Sequence, residues 1–145
     1  MRTIILLLAS SLLLSVEAHD IEYSISASEL QSVFQLYPTI YRESPEYFWM
    51  VLNQSRNRAL RCTSVKEIEG FLQIVNLPSQ GADLEEFISE SVEKLCVKQQ
   101  KCFNQAMSLL DGTTRRNVKR KLKTPLYFDV DELSGCKTSG SGLDK

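Results

Sequence analysis

Few side chains in this sequence can carry chemistry. Four cysteines stand at Cys62, Cys96, Cys102 and Cys136, with one histidine at His19. Six cations crowd "RRNVKRKLK", positions 115–123, and an Asn-Gln-Ser triplet begins at Asn53. An even set of cysteines can pair as disulfides or hold a metal. A zinc site of four cysteines usually needs two close pairs. Only Cys96 and Cys102 are close here, so no metal site is expected. A nucleophile activated by histidine would depend on His19, which falls where nothing would hold it in place. The remaining serines and carboxylates lie in helix-capping patterns or on exposed helix faces. The expectation is a protein without catalytic residues, without a metal and without a cofactor.

The compartment follows from the first residues. "MRTIILLLASSLLLSVEAHD" has one early arginine, an apolar run from Ile4 to Leu14, and Val16 and Ala18 at the −3 and −1 positions of a cleavage site. The run is shorter than the roughly 20 residues of a membrane span. A signal peptide over 1–18 is expected, leaving a secreted chain that starts at His19. In an oxidising compartment the four cysteines then read as two disulfides. The tail 137–145, from "KTSGSGLDK", is polar and glycine-rich and is expected to be flexible, with no lipid-anchor signal. Residues 19–136 are long enough for one domain with a modest core.

The elements that must position these groups are helical. Ser26 with Glu29 forms a capping box, and Leu30, Val33, Phe34 and Tyr37 follow on one face until Pro38. Ser44-Pro45-Glu46 opens a second helix, with Phe48, Val51, Leu52, Ala59 and Cys62 on its stripe. Ser64 and Glu67 open a third, which runs to about residue 76. The longest candidate covers 83–110 and stops at Asp111-Gly112. A short basic helix is expected from Thr114 to Lys123, before Pro125, and "LYFDVDELSGC" reads as an extended piece returning Cys136 to the body. No stretch sustains strand alternation. The predicted fold is all-α: four to five helices in a small bundle stapled by two disulfides.

Helix geometry constrains the cysteines. In one continuous helix, Cys96 and Cys102 would be about 9 Å apart along the axis and about 120° apart around it. A disulfide needs Cα atoms within about 7 Å, so a 96–102 bond and a continuous helix exclude each other. Two pairings remain, 62–96 with 102–136, or 62–102 with 96–136. Spacing does not choose, because 33 residues separate each pair of the first set. The first set is preferred. In either case the long helix is a central post clamped to its neighbours.

The stretch "LCVKQQKCF" on an amphipathic helix resembles one found in small secreted, cysteine-bridged helical domains of unassigned function that are numerous in nematodes. The resemblance covers about a dozen residues and implies a secreted helical domain. Those domains usually carry more than four cysteines.

Three surface features could bind. Asn53 begins a glycosylation sequon. Arg115, Arg116, Lys119, Arg120, Lys121 and Lys123 would spread over a helix held to the body by Val118 and Leu122, and could meet an anionic partner. Five aromatics between Tyr37 and Trp49 either pack in the core or rim a ligand pocket. Nucleic acid is not expected, because no aromatic stacking pattern accompanies the basic run. No stable membrane anchor is expected either. The functional expectation is a secreted, non-enzymatic binding protein, an interaction module for an extracellular protein or anionic surface. The alternative is a carrier of a small apolar ligand or lipid in an interhelical cavity.

Overall fold

The computed structural model describes residues 24–78 and 81–136. The expected signal peptide over 1–18, His19 and the tail over 137–145 lie outside these residues. Within them the chain is all-helical, with seven α-helices rather than four or five. Helix α1 (Ala27–Gln35) begins as read, with Ser26 Oγ accepting from the Glu29 N–H at 3.1 Å. The first unexpected element is α2 (Thr39–Glu43), five residues long, between Pro38 and Pro45. So short a helix shows too little of a 3.6-residue period to be recognised. Helix α3 (Pro45–Arg61) carries Pro45 in its first turn and ends at Cys62, in the left-handed region with φ 50° and ψ 46°. In α4 (Val65–Leu72) the Ser64 hydroxyl accepts from the Lys66 N–H at 3.2 Å, and the helix tightens into a 3₁₀ turn, Gln73–Asn76.

The second unexpected element corrects the long helix. Residues 83–110 do not form one rod: α5 (Ala82–Lys98) and α6 (Gln100–Leu109) meet at Gln99, whose φ of −131° and ψ of 42° leave the helical region. No glycine or proline marks the break. The Gln99 side chain instead donates to the Leu60 carbonyl near the end of α3, at 2.6 Å. The apolar stripe continues in phase across it because both helices face the same core. Leu84, Ile88 and Leu95 from α5 and Phe103 and Ala106 from α6 are all buried. Turning at Gln99 lets α6 pack on α4 while α5 packs against α3, α7 (Gly112–Lys123) and the terminal 3₁₀ turn, Ser134–Cys136.

The core centres on Phe48, Phe71 and Phe103, each fully buried. Each contributes about 1.5–3 kcal/mol by leaving water. The aromatic segment belongs to this core. Phe48 meets Tyr37, Tyr41 and Trp49 at centroid distances of 5.7, 5.2 and 5.4 Å, and Trp49 meets Phe87 edge-on at 5.4 Å. The Arg56 guanidinium lies 4.7 Å from the Phe87 ring centroid, in cation–π range.

The disulfides also correct an expectation. Cys62 pairs with Cys102 (Cα–Cα 6.4 Å) and Cys96 with Cys136 (5.7 Å), not 62 with 96 and 102 with 136. The cause is the break at Gln99. It seats the first turn of α6, with Cys102, beside the end of α3. Cys96 stays on the face of α5 that also carries Glu93, three residues earlier, and this face meets the C-terminal segment. As expected, no bond joins Cys96 to Cys102.

Candidate functional site

Helix α7 and the strap that follows it, residues 124–136, carry the chemistry-bearing side chains brought together by the fold. Asp111, expected as the stop of the long helix, is instead the N-cap of α7. Its Oδ1 accepts from the Thr113 and Thr114 N–H groups at 2.9 and 3.0 Å, and its Oδ2 from the Thr114 hydroxyl at 2.5 Å. Thr114, Val118 and Leu122 are buried and face the body. The Thr114 hydroxyl also accepts from Asn76 Nδ2 at 2.7 Å, tying α7 to the first 3₁₀ turn.

The six cations of α7 divide by role. Arg115 turns inward and donates to the carbonyls of Met107, Ser108 and Leu110 at 2.9, 3.2 and 2.7 Å, closing the end of α6. Lys121 pairs with Glu85 of α5. These two, expected as partner-binding residues, serve the fold. Arg116, Lys119, Arg120 and Lys123 are exposed. At about 100° per residue they fall within an arc of about 100°, opposite the buried face, over about 10 Å of helix. Helix α7 contains no acidic residue. Among the described residues, none of the four forms an ion pair.

Hydrogen bonds to the Thr114 hydroxyl and then to its N–H hold the Asp111 carboxyl below the usual carboxylate range. A folded pKa below the unfolded one means that this group stabilises fully above about pH 4 and loses that contribution as pH falls through the depressed value. Asp111→Asn keeps an accepting oxygen without the charge. Its melting temperature is expected to fall less steeply than that of the parent chain below about pH 4. Superimposable thermal melts across that range would exclude the role. Glu67 adds to the same acid limb. Burial opposes its charge, but hydrogen bonds from Thr63 and Arg58 outweigh burial and hold its carboxyl low.

Glu93 had no signal in sequence beyond its place in the helix. It is fully buried on α5, and its carboxylate gathers three consecutive N–H groups of the strap: Leu126 at 2.8 Å, Tyr127 at 2.8 Å and Phe128 at 3.0 Å. Three amides converging on one anion form a nest. With the Cys96–Cys136 bond one helical turn further on, Glu93 fixes the strap to the post. Leu126, Tyr127 and Val130 remain exposed on it.

The other candidates lie elsewhere. Asn53 is inside α3, with Nδ2 donating to the Trp49 carbonyl at 2.8 Å and Oδ1 accepting from Arg56 at 3.0 Å. Ser55, the third sequon residue, is 6% exposed, so modification of Asn53 would have to precede the folding of α3. One pocket, lined by Ile25, Leu30 and Gly70 among others, holds about 70 Å³. A second, about 310 Å³, is lined by polar side chains including Gln54, Asn57 and Arg61. Ligand pockets usually span about 300–1,000 Å³ and are mostly apolar. The apolar pocket is too small and the larger one too polar to favour an apolar cargo.

Among the described residues no helix is long and apolar enough to cross a membrane, and no group of three or more His, Cys, Asp or Glu could hold a metal ion. The fold and its surface define a small all-helical chain stapled by two disulfides, the kind of cross-link that persists in oxidising environments. Comparison with family models, curated proteins and solved structures found no match.

Proposed function

We propose that this is a secreted, non-enzymatic binding module whose recognition face is the outer stripe of α7, and that its extracellular partner presents a dense anionic surface. One observation carries the reading. Of six neighbouring cations, the two that the fold needs turn inward, and the other four share one solvent-facing arc. A basic helix that only balanced nearby acids would pair its cations with them, as Lys121 does with Glu85. The disulfides support an extracellular setting, and a helix packed on a disulfide-stapled body would present the stripe already folded, which lowers the entropic cost of binding.

The test uses the contrast between local and total charge. The chain has a formal net charge of −1 at pH 7, so its overall charge gives no reason to bind a cation exchanger. Retention at pH 7 and low salt is expected, through the stripe. Passage in the void volume is expected for R116Q/K119Q/R120Q/K123Q, with unchanged circular dichroism because all four side chains are exposed. If the parent chain also passes unretained, the stripe is not an effective anion-binding face.

A further inference from the structure

We infer that the ligand of the α7 stripe is a linear sulfated polysaccharide lying along the helix, an assignment that rests on the reading of α7 as the recognition face. Arg116, Lys119, Arg120 and Lys123 share an arc of about 100° over about 10 Å of the helix, a compact cluster of cations that suits the closely spaced charges of a polyanion. Two of the four are arginines, whose planar forks match the paired oxygens of sulfate. At physiological salt the screening length is about 8 Å. A chain with a net charge of −1 therefore attracts an anion only at contact, and only a ligand with closely spaced charges engages all four cations together.

Competing anions fit the surface less well. A helix resting on an anionic membrane needs an apolar face beside its cations, but Val118 and Leu122 of α7 are buried against the body. Of the exposed Leu126, Tyr127 and Val130 on the strap, Tyr127 stands in the field of acids of α5, which repel an anionic membrane. Burial, and then the charges of Glu86, Glu90 and Glu93, push the Tyr127 hydroxyl above its ordinary pKa. An extended peptide docks by adding to a strand edge, and an acidic motif docks on a cluster of arginines, of which this stripe holds only two among its four cations. The stripe is one convex helix face, and no strand occurs among the described residues. A single-stranded nucleic acid needs aromatic platforms, and the stripe contains none.

The experiment titrates the full chain with a fluorescent heparin octasaccharide, with N- and O-desulfated octasaccharide, with poly-glutamate and with phosphatidylserine vesicles. Binding of the sulfated octasaccharide is expected to weaken about fifty-fold between about 50 and 200 mM salt, as release of counterions at four contacts requires at about 0.7 per contact. R116Q/K119Q/R120Q/K123Q should abolish it, while Arg115→Gln should leave the salt slope intact. Equal affinity for the desulfated octasaccharide overturns the assignment. So does stripe-dependent binding to vesicles or poly-glutamate without binding to the sulfated probe, although that result leaves α7 as the recognition face. Absence of binding to all four probes removes both readings.

Discussion

A chain carrying Cys96→Ala and Cys136→Ala is expected to lose more stability than one carrying Cys62→Ala and Cys102→Ala, with losses of about 4 kcal/mol or more and about 4 kcal/mol respectively. The two bonds span equal sequence separations of 40 residues. Loop-closure entropy therefore assigns them the same contribution, and any difference reports on the folded side. Cys96 and Cys136 are 0% and 2% exposed, whereas Cys62 and Cys102 are only partly buried. Removing the buried pair opens a cavity as well as releasing a loop, and it frees the end of the strap. Against a total of about 5–15 kcal/mol for a domain, either loss is severe. Urea unfolding followed by circular dichroism measures both, and a larger loss from the 62–102 pair would contradict the burial argument. Peptide mapping without reduction should recover 62–102 and 96–136, and a 62–96 peptide would refute the turn at Gln99.

The second large effect falls on Glu93. Glu93→Ala leaves the amides of Leu126, Tyr127 and Phe128 without their acceptor and empties a buried site. The expected cost is about 3–4 kcal/mol, since hydrogen bonds to a charged group contribute about 1.5–3 kcal/mol each and partial access of water to the strap recovers some of the loss. Glu93→Gln keeps one accepting oxygen but turns an amide group toward N–H donors, so an intermediate loss is expected. Hydrogen exchange distinguishes this latch from a general packing defect. Protection should drop first at residues 126–128, ahead of α3 and α5. Uniform loss of protection across the body, with those three amides no more affected than the rest, would show that Glu93 is an ordinary core residue. The Cys96–Cys136 bond holds the strap one helical turn away on α5, so the two ties are expected to be coupled in a double-mutant cycle.

Much of the local structure was legible in the chain. Ser26 and Ser64 are helix caps because a short side-chain oxygen just before an apolar stripe satisfies a free N–H. Pro38 closes α1 and Pro45 opens α3 because proline lacks an N–H and fixes φ. Val118 and Leu122, four residues apart, mark the inward face of α7. These features are local, set by residues within a turn or two of one another.

Tertiary structure decided what depends on residues distant in sequence. Nothing between Cys96 and Cys102 marks a break. Helix 83–110 divides because Gln99 finds the Leu60 carbonyl thirty-nine residues away, and that turn chooses the disulfide pairing. Arg115 and Lys121 look identical in sequence to the cations beside them, yet the end of α6 and Glu85 draw them inward. Glu93 reads as one more helix carboxylate until three strap amides converge on it. The sequence by itself determined an all-helical chain with four cysteines and a basic helix. Only the packing of α3, α5, α6 and the strap decided which cysteines pair, which four cations face outward, and where the chain's one fully buried carboxylate among the described residues is held. Each of those outcomes is an interaction between segments that the local pattern cannot contain.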